Sequence, residues 1–320
     1  MQTITSKLHL LTITASAFFC GATIADAAPV RVETARGAVT FSMSAAGGMR
    51  VTLHRAFDVC ADPFAALEEA IELGFGELEL GYNTTPEQVP GFRRMLDSIP
   101  VGSVHAFCPV PLSAPQGYPE LYQLASFDEE GRKMANLQVR RNIEFAASVG
   151  ADALVLHAGR VMCRGLFKSR DMKRRVKRGV KMVEVLKREL EAIVPVLEKN
   201  GVRLGLENLP YLEGFPAEWE ISEFAGDWVR PWFDTGHDRV RECRGWTKGA
   251  ADWPKDPLGM HINDVVDKND DHFAPGMGKV DFAALKDMAL ATRHVVFEPG
   301  SDVSEEDLAK GLRLLKTLWA

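Results

Sequence analysis

Hydrophobic and polar positions along this chain fall into two alternating kinds of block. Short apolar runs of strand length occur at Met49 to Leu53, Glu77 to Leu80, Val101 to Phe107, Ala153 to Leu156, Val202 to Leu206, Pro231 to Phe233, Gly259 to Ile262 and His294 to Phe297. Between them lie longer stretches with helical apolar spacing, as at Met134, Leu137, Ile143 and Ala147 within Asp128 to Val149. Local punctuation agrees. Asp62 and Pro63 read as the N-cap and first residue of a helix through Leu73, closed by Gly74. Thr84 and Thr85 cap a helix through Leu96, and Asp281 caps Phe282 to Leu290. Further helices are predicted over Asp171 to Asn200, Glu218 to Ala225 and Glu305 to Leu318, with Pro195 expected to kink or shorten the first of these. Strand and helix thus alternate about eight times, which predicts a parallel α/β fold. No Gly-x-Gly-x-x-Gly follows a strand, so an open dinucleotide-binding sheet is disfavoured and a single-domain (β/α)8 TIM barrel is expected.

The ends of the runs carry the chemistry. Val101 to Val104 delivers His105, Ala153 to Leu156 delivers His157, and Val202 to Leu206 delivers Glu207. Pro231 to Phe233 delivers Asp234, with His237 three residues on, and His294 to Phe297 delivers Glu298. Gly259-Met260-His261-Ile262-Asn263-Asp264 runs into Asp270-Asp271-His272 and a Pro275-Gly276-Met277-Gly278 turn. In a parallel barrel the C-terminal strand ends converge on one face, where active sites sit. Neutral imidazoles and carboxylates gathered there suit a divalent metal.

Composition bounds the rest. With 46% hydrophobic residues among 320, the chain can bury one large core. Its formal charge of −6 argues against bulk nucleic-acid binding, although local patches matter more than the total. One such patch exists: twelve Lys/Arg against Asp171 and Glu184 between Arg160 and Arg188. A solvated helix face explains such a run; placed in the loop after His157, it would also hold a phosphate or steer an anion. Residues 1–27 differ from the rest, with Lys7 the sole charge before Asp26, an apolar run Leu8 to Ile24, and Ala25-Asp26-Ala27. That pattern fits a cleaved signal peptide, a mature start at Ala28 and a periplasmic or secreted location. Residues 28–48 then form an N-terminal extension, holding a short strand at Val39 to Phe41, and 49–320 the barrel. Cys60, Cys108, Cys163 and Cys243 show neither a CxxC pair nor a zinc-finger spacing. Phe215, Trp246 and Trp253 fall in loops where aromatic rings can stack on a sugar or simply pack.

From Val104 onward these motifs resemble the xylose isomerase-like TIM barrels. The carriers are Val104-His105, Leu156-His157-Ala158-Gly159, Leu206-Glu207-Asn208, Asp234-Thr235-Gly236-His237, His261-Ile262-Asn263-Asp264 and Phe297-Glu298-Pro299. The resemblance implies a sugar or sugar-phosphate isomerase or epimerase with Glu207, Asp234, His261 and Glu298 on one divalent ion (Mn²⁺, Mg²⁺ or Zn²⁺). Glu207 and Glu298 then double as the proton-transferring pair, or act as ligands alone. Asn208 and Pro299 would support the ligands from behind. His105, His157, His237, Asp270 and His272 fill the positions that zinc-dependent AP endonucleases of this superfamily use for further ions. A zinc phosphodiesterase acting on nucleic acid is therefore the first alternative, and a non-catalytic metal- or sugar-binding barrel the second. Ketulose 3-epimerases of the tagatose type carry an arginine six residues past the metal histidine; Asp267 stands there, setting this chain apart from that substrate class. Separately, Ala45 to Phe75 resembles a piece of the copper-homeostasis TIM-barrel family.

Overall fold

The computed structural model describes residues 30–34, 37–41, 51–53, 76–95, 99–114, 116–159, 172–210, 226–245, 253–269, 272–300 and 302–320. The expected signal peptide, the helices Pro63–Leu73 and Glu218–Ala225, the opening of the basic run, and Phe215, Trp246 and Asp270 lie outside them. Two short antiparallel strands, β1 (Val30–Thr34) and β2 (Gly37–Phe41), form a hairpin. Eight strands then close a parallel barrel: β3 (Val51–Leu53), β4 (Glu77–Leu80), β5 (Val101–His105), β6 (Ala153–Leu156), β7 (Arg203–Glu207), β8 (Val229–Asp234), β9 (Gly259–Ile262) and β10 (His294–Phe297). β10 pairs with β3 to complete the ring.

Side-chain alternation along these strands explains why the runs are not uniformly apolar. Leu78, Leu80, Val104, Leu154, Leu156, Leu204, Leu206, Phe233, Met260, Ile262, Val295 and Phe297 join the large core shared with the helices. The other register faces the barrel axis, where Ala153, Val155, Trp232 and Val296 pack with Leu258 as a small separate core. The same register carries Glu79, His105, Glu207, Asp234 and His261. Interior polar residues are thus a direct consequence of two-residue periodicity.

The helices described are α1 (Val89–Met95), α2 (Glu129–Ser148), α3 (Met172–Asn200), α4 (Thr235–Cys243), α5 (Lys286–Ala291) and α6 (Glu305–Trp319). Asp128 caps α2, its side chain accepting from Gly131 N–H. Three expectations are corrected. The helix expected from Thr84/Thr85 begins at Val89, because residues 85–88 close a separate turn in which Thr85 N–H donates to Gln88 Oε1 at 2.7 Å. Asp281 does accept from Ala284 N–H, but α5 starts only at Lys286 after a succession of turns. Finally, α3 is not shortened at the proline: it runs through Pro195 to Asn200. Proline removes one helical hydrogen bond, a local loss. The buried stripe Leu186, Leu190, Ile193 and Leu197 holds the helix on the core regardless.

The N-terminal mouth of the barrel is closed by an ionic network. His294 Nδ1 lies 3.3 Å from Glu77 Oε2 and its Nε2 lies 3.0 Å from Asp152 Oδ1, while Arg293 also pairs with Asp152. Burial opposes charge on Asp152, but His294 and Arg293 outweigh it and lower its pKa from 3.8 to about 2. Burial likewise opposes protonation of His294, but Asp152 and Glu77 raise its pKa above the ordinary 6.5. The lowered carboxylate stabilises the fold above pH 3.8 and loses that contribution as pH falls toward about 2. The raised imidazole stabilises it fully below pH 6.5 and loses that as pH rises through its folded value. Both contributions overlap between 3.8 and 6.5. His294→Gln should therefore cost most stability at about pH 5.5 and distinctly less at about pH 8.5. Urea denaturation at the two pH values checks this; a pH-independent cost would refute it.

Candidate functional site

Barrel closure brings together residues that the sequence scatters from His105 to Glu298. Glu207, at the end of β7, is the hub. Its Oε2 lies 3.2 Å from His105 Nε2, 3.3 Å from His157 Nε2 and 3.3 Å from His261 Nδ1, and its Oε1 lies 3.2 Å from His237 Nδ1. His261 Nδ1 also lies 3.2 Å from Glu298 Oε2 and 3.9 Å from Asp234 Oδ2. Ligand atoms of Glu207, Asp234, His261 and Glu298 all fall within 4.8 Å of one another, and all four residues are buried. His105 with Glu207 and His261 forms a second such group. His272 stands at the rim: its Nδ1 is 2.9 Å from the Glu298 carbonyl oxygen, and its backbone lies in the left-handed region at φ 48.

Supporting groups fix these side chains. Asn208 Nδ2 donates to the Asp234 carbonyl and Asn208 Oδ1 accepts from Asp234 N–H, tying β7 to β8. Asp234 Oδ1 caps α4 by accepting from His237 N–H at 2.7 Å, and Asp234 Oδ2 accepts from Asn263 Nδ2 at 2.9 Å. His237 Nδ1 sits 2.7 Å from the Asn208 carbonyl, which orients the ring. Asp264 organises the following loop: its carboxylate accepts from the backbone N–H groups of Val265, Gly276, Gly278 and Val280 at 2.8–3.0 Å. Asp264→Asn should cost about 1.5 kcal/mol, the scale of a charge-assisted hydrogen bond. It should also speed amide exchange at Gly276 and Gly278; unchanged protection there would sink this account.

A cavity of about 180 Å³ opens over the cluster, lined by Tyr82, Glu120, His157, Glu207, His272 and Glu298 among others. Tyr82 and Glu120 were not singled out by sequence, nor was Glu79. Glu79 is buried on β4, its Oε1 3.1 Å from His261 Nε2 and its Oε2 accepting from Ser103 Oγ at 2.5 Å. A carboxylate between Leu78 and Leu80 was the available signal. Trp253 does not reach the cavity: it is buried against Phe233 at 4.8 Å and donates to Asp238, so its aromatic ring serves packing. Asp267 is exposed.

The electrostatics suit a cation. Burial raises the Glu207 pKa, but His261, His157 and His105 outweigh it and hold the carboxyl well below its ordinary range. Burial, reinforced by Glu207 and Glu298, pushes Asp234 up to about 6 despite His237. Burial disfavours charge on His261, yet Glu298, Glu207 and Glu79 raise its pKa well above 6.5. Burial lowers the His105 pKa despite Glu207. Three carboxylates thus compete for positive charge around one imidazole nitrogen, a demand a divalent ion meets. With bonds of about 2.1 Å, adjacent ligands of a tetrahedral or octahedral ion stand about 3.0–3.4 Å apart. The 3.2 and 3.3 Å separations around His261 Nδ1 match that spacing.

Comparison with known proteins agrees with this architecture. The family model of the xylose isomerase-like TIM barrel matches residues 67–318. The chain belongs to that family. A CutC family model matches residues 21–97 only. Among curated relatives, a CutC family protein of Histophilus somni is 62% identical over 32 residues, 10% of this chain and 13% of that one. The chain thus spans a small fraction of these relatives. Among solved structures, a D-tagatose 3-epimerase-like protein superposes with TM-score 0.61 at 19% identity, covering 84% of this chain and 97% of that one. The 3-keto-D-glucoside 4-epimerase YcjR of E. coli gives 0.60 at 18%, covering 84% and 100%. A Thermus thermophilus protein soaked with ZnCl2 gives 0.56 at 24%, covering 84% and 96%. At these identities the likeness establishes the shared barrel.

Proposed function

We propose that this chain is a metal-dependent isomerase or epimerase of a sugar or sugar phosphate, transferring a proton α to a carbonyl. The observation that carries the reading is the pair Glu207 and Glu298: both line the cavity and flank His261 Nδ1 at 3.3 and 3.2 Å. Glu207, Asp234, His261 and Glu298 would hold a divalent ion, Mn²⁺, Mg²⁺ or Zn²⁺. Such an ion, when bound, polarises a carbonyl and offsets charge on the developing oxyanion. One of the pair, ionised, removes the proton next to the carbonyl, and the other, starting as the carboxylic acid, delivers a proton to the product. Their burial at the cavity floor keeps bulk water from competing. The epimerases among the structural neighbours support the same class. With Asp267 exposed, the tagatose-type substrate class is not proposed.

A zinc phosphodiesterase on nucleic acid is the second reading, favoured by the convergence of His105, His157 and His237 on Glu207. Metal analysis combined with a ketose and aldose panel, read as α-hydrogen exchange into deuterated water, decides between them. Exchange with one bound ion supports the isomerase; cleavage of abasic DNA with several zinc ions and no exchange overturns it. Among the described residues no helix is long and apolar enough to cross a membrane. We also propose export with Ala28 as the mature N-terminus; intact mass from the native host retaining residues 1–27 would refute it.

A further inference from the structure

We propose that Glu79 is a positioning residue that fixes the tautomer and aim of His261, with Ser103 holding Glu79 in place. The inference rests on the metal-site reading above and adds to it a residue that offers the ion no ligand.

An imidazole has two distinct nitrogens, and a metal can take only the one without a proton. In His261 the division is explicit. Nδ1 faces Glu207, Glu298 and Asp234 at 3.3, 3.2 and 3.9 Å. Nε2 faces Glu79 Oε1 at 3.1 Å. An ionised carboxylate only accepts, so Glu79 draws the single proton of neutral His261 onto Nε2 and leaves the Nδ1 lone pair for the ion. The carboxylate reaches His261 across the barrel interior: β4 and β9 are separated by β3 and β10. Glu79 itself is held by its cross-strand partner. Ser103 pairs with Glu79 in the β4–β5 ladder, and its hydroxyl donates to Glu79 Oε2 at 2.5 Å. The register shifts between Leu78 and Glu79, so β4 carries its irregularity where the carboxylate must be aimed. Glu79 is 2% exposed, and Ser103 and His261 are fully buried, so solvent cannot substitute for any contact in the chain Ser103–Glu79–His261. A carboxylate in so dry a place is costly unless its oxygens are satisfied, which both these contacts do.

The consequence is graded. Glu79→Leu removes the acceptor, lets His261 carry its proton on Nδ1, and should weaken divalent-ion binding roughly 10–100-fold. Glu79→Gln keeps a carbonyl oxygen that accepts from Nε2–H and should recover most of that loss. Ser103→Ala should weaken binding only a few-fold. The experiment titrates metal-stripped wild type, Glu79→Leu, Glu79→Gln and Ser103→Ala with Mn²⁺ and Zn²⁺ by calorimetry. Nitrogen-15 spectra of the His261 ring, assigned with His261→Asn, are recorded on the same metal-free samples at a pH raised until the ring has lost its second proton, because the surrounding carboxylates hold that proton well above the ordinary imidazole range; thermal midpoints are compared as well. Expected is Nε2–H in wild type and Glu79→Gln, a shift toward Nδ1–H in Glu79→Leu, and affinities in the order given. Wild-type affinity and the Nε2–H tautomer in Glu79→Leu overturn the proposal while leaving the metal site standing. Failure of wild type to bind either ion overturns the metal-site reading and this one with it. Equal loss of affinity in Glu79→Gln and Glu79→Leu, with one unchanged tautomer, would make Glu79 a merely structural residue and also overturns it.

Discussion

Glu298→Gln should lower turnover roughly 10²-fold or more, the scale of losing a positioned acid/base group, at saturating Mn²⁺. Glutamine keeps a carbonyl oxygen that can still face the ion position, but it loses the charge and the basic lone pair. Glu298 lies 3.2 Å from His261 Nδ1 and its carbonyl holds His272, so the isosteric change leaves the backbone contact in place. Metal affinity should fall only moderately. Asp234→Asn is the control. Asp234 is fully buried beneath the cluster, caps α4 and accepts from Asn263, and it has no proposed proton role. Its activity loss should be largely rescued by excess metal. Turnover and α-hydrogen exchange in deuterated water, measured for both variants across Mn²⁺ concentrations, separate the roles. If Glu298→Gln is rescued as fully as Asp234→Asn, Glu298 is a ligand alone and the two-carboxylate mechanism fails.

The second large effect is on stability. Gly259→Ala should cost about 3 kcal/mol, the upper range for overpacking a filled interior. A Cβ at Gly259 would fall 2.1–2.4 Å from three atoms of the Trp232 six-membered ring, and one at Gly205 would fall 2.6 Å from it. Trp232 cannot retreat: it is fully buried, stacked near-parallel on His294 and edge-on to His261. The two glycines, on the strands either side of β8, are the space the indole occupies. Trp232→Phe shortens the ring and should restore a substantial part of the loss in the double variant, the non-additivity expected of residues in contact. Urea midpoints of the four proteins complete the cycle. A Gly259→Ala cost under about 0.5 kcal/mol, the ordinary surface value, would show that the indole is not wedged there.

These two predictions draw on different layers of the same barrel, and the sequence revealed the layers unequally. Ligand-type residues at strand ends were legible because the residue after an apolar run is set by local pattern: His157, Glu207, Asp234 and Glu298 each close such a run. The alternation of strands and helices was legible for the same reason. Pro195 does not shorten α3, since its cost is local while the buried stripe of α3 spans the helix. Trp253 could be read either way, because an aromatic in a loop has no visible partner until Phe233 is placed beside it.

Glu79 and Trp232 were not legible as interior groups. A carboxylate in a short strand pattern fits a solvent-facing position as well as a barrel axis, and only ring closure, with β10 paired to β3, turns that register inward. The same closure sets β4 within reach of β9, so that Glu79 meets His261 across 182 residues of chain. By itself, then, the sequence determined the repeating strand–helix units and the residues delivered at their ends, because both are encoded in periodicities of a few positions. Tertiary structure alone decided which of those residues share one buried centre, and which nitrogen of His261 faces it, because those distances arise from strands that meet only when the barrel closes.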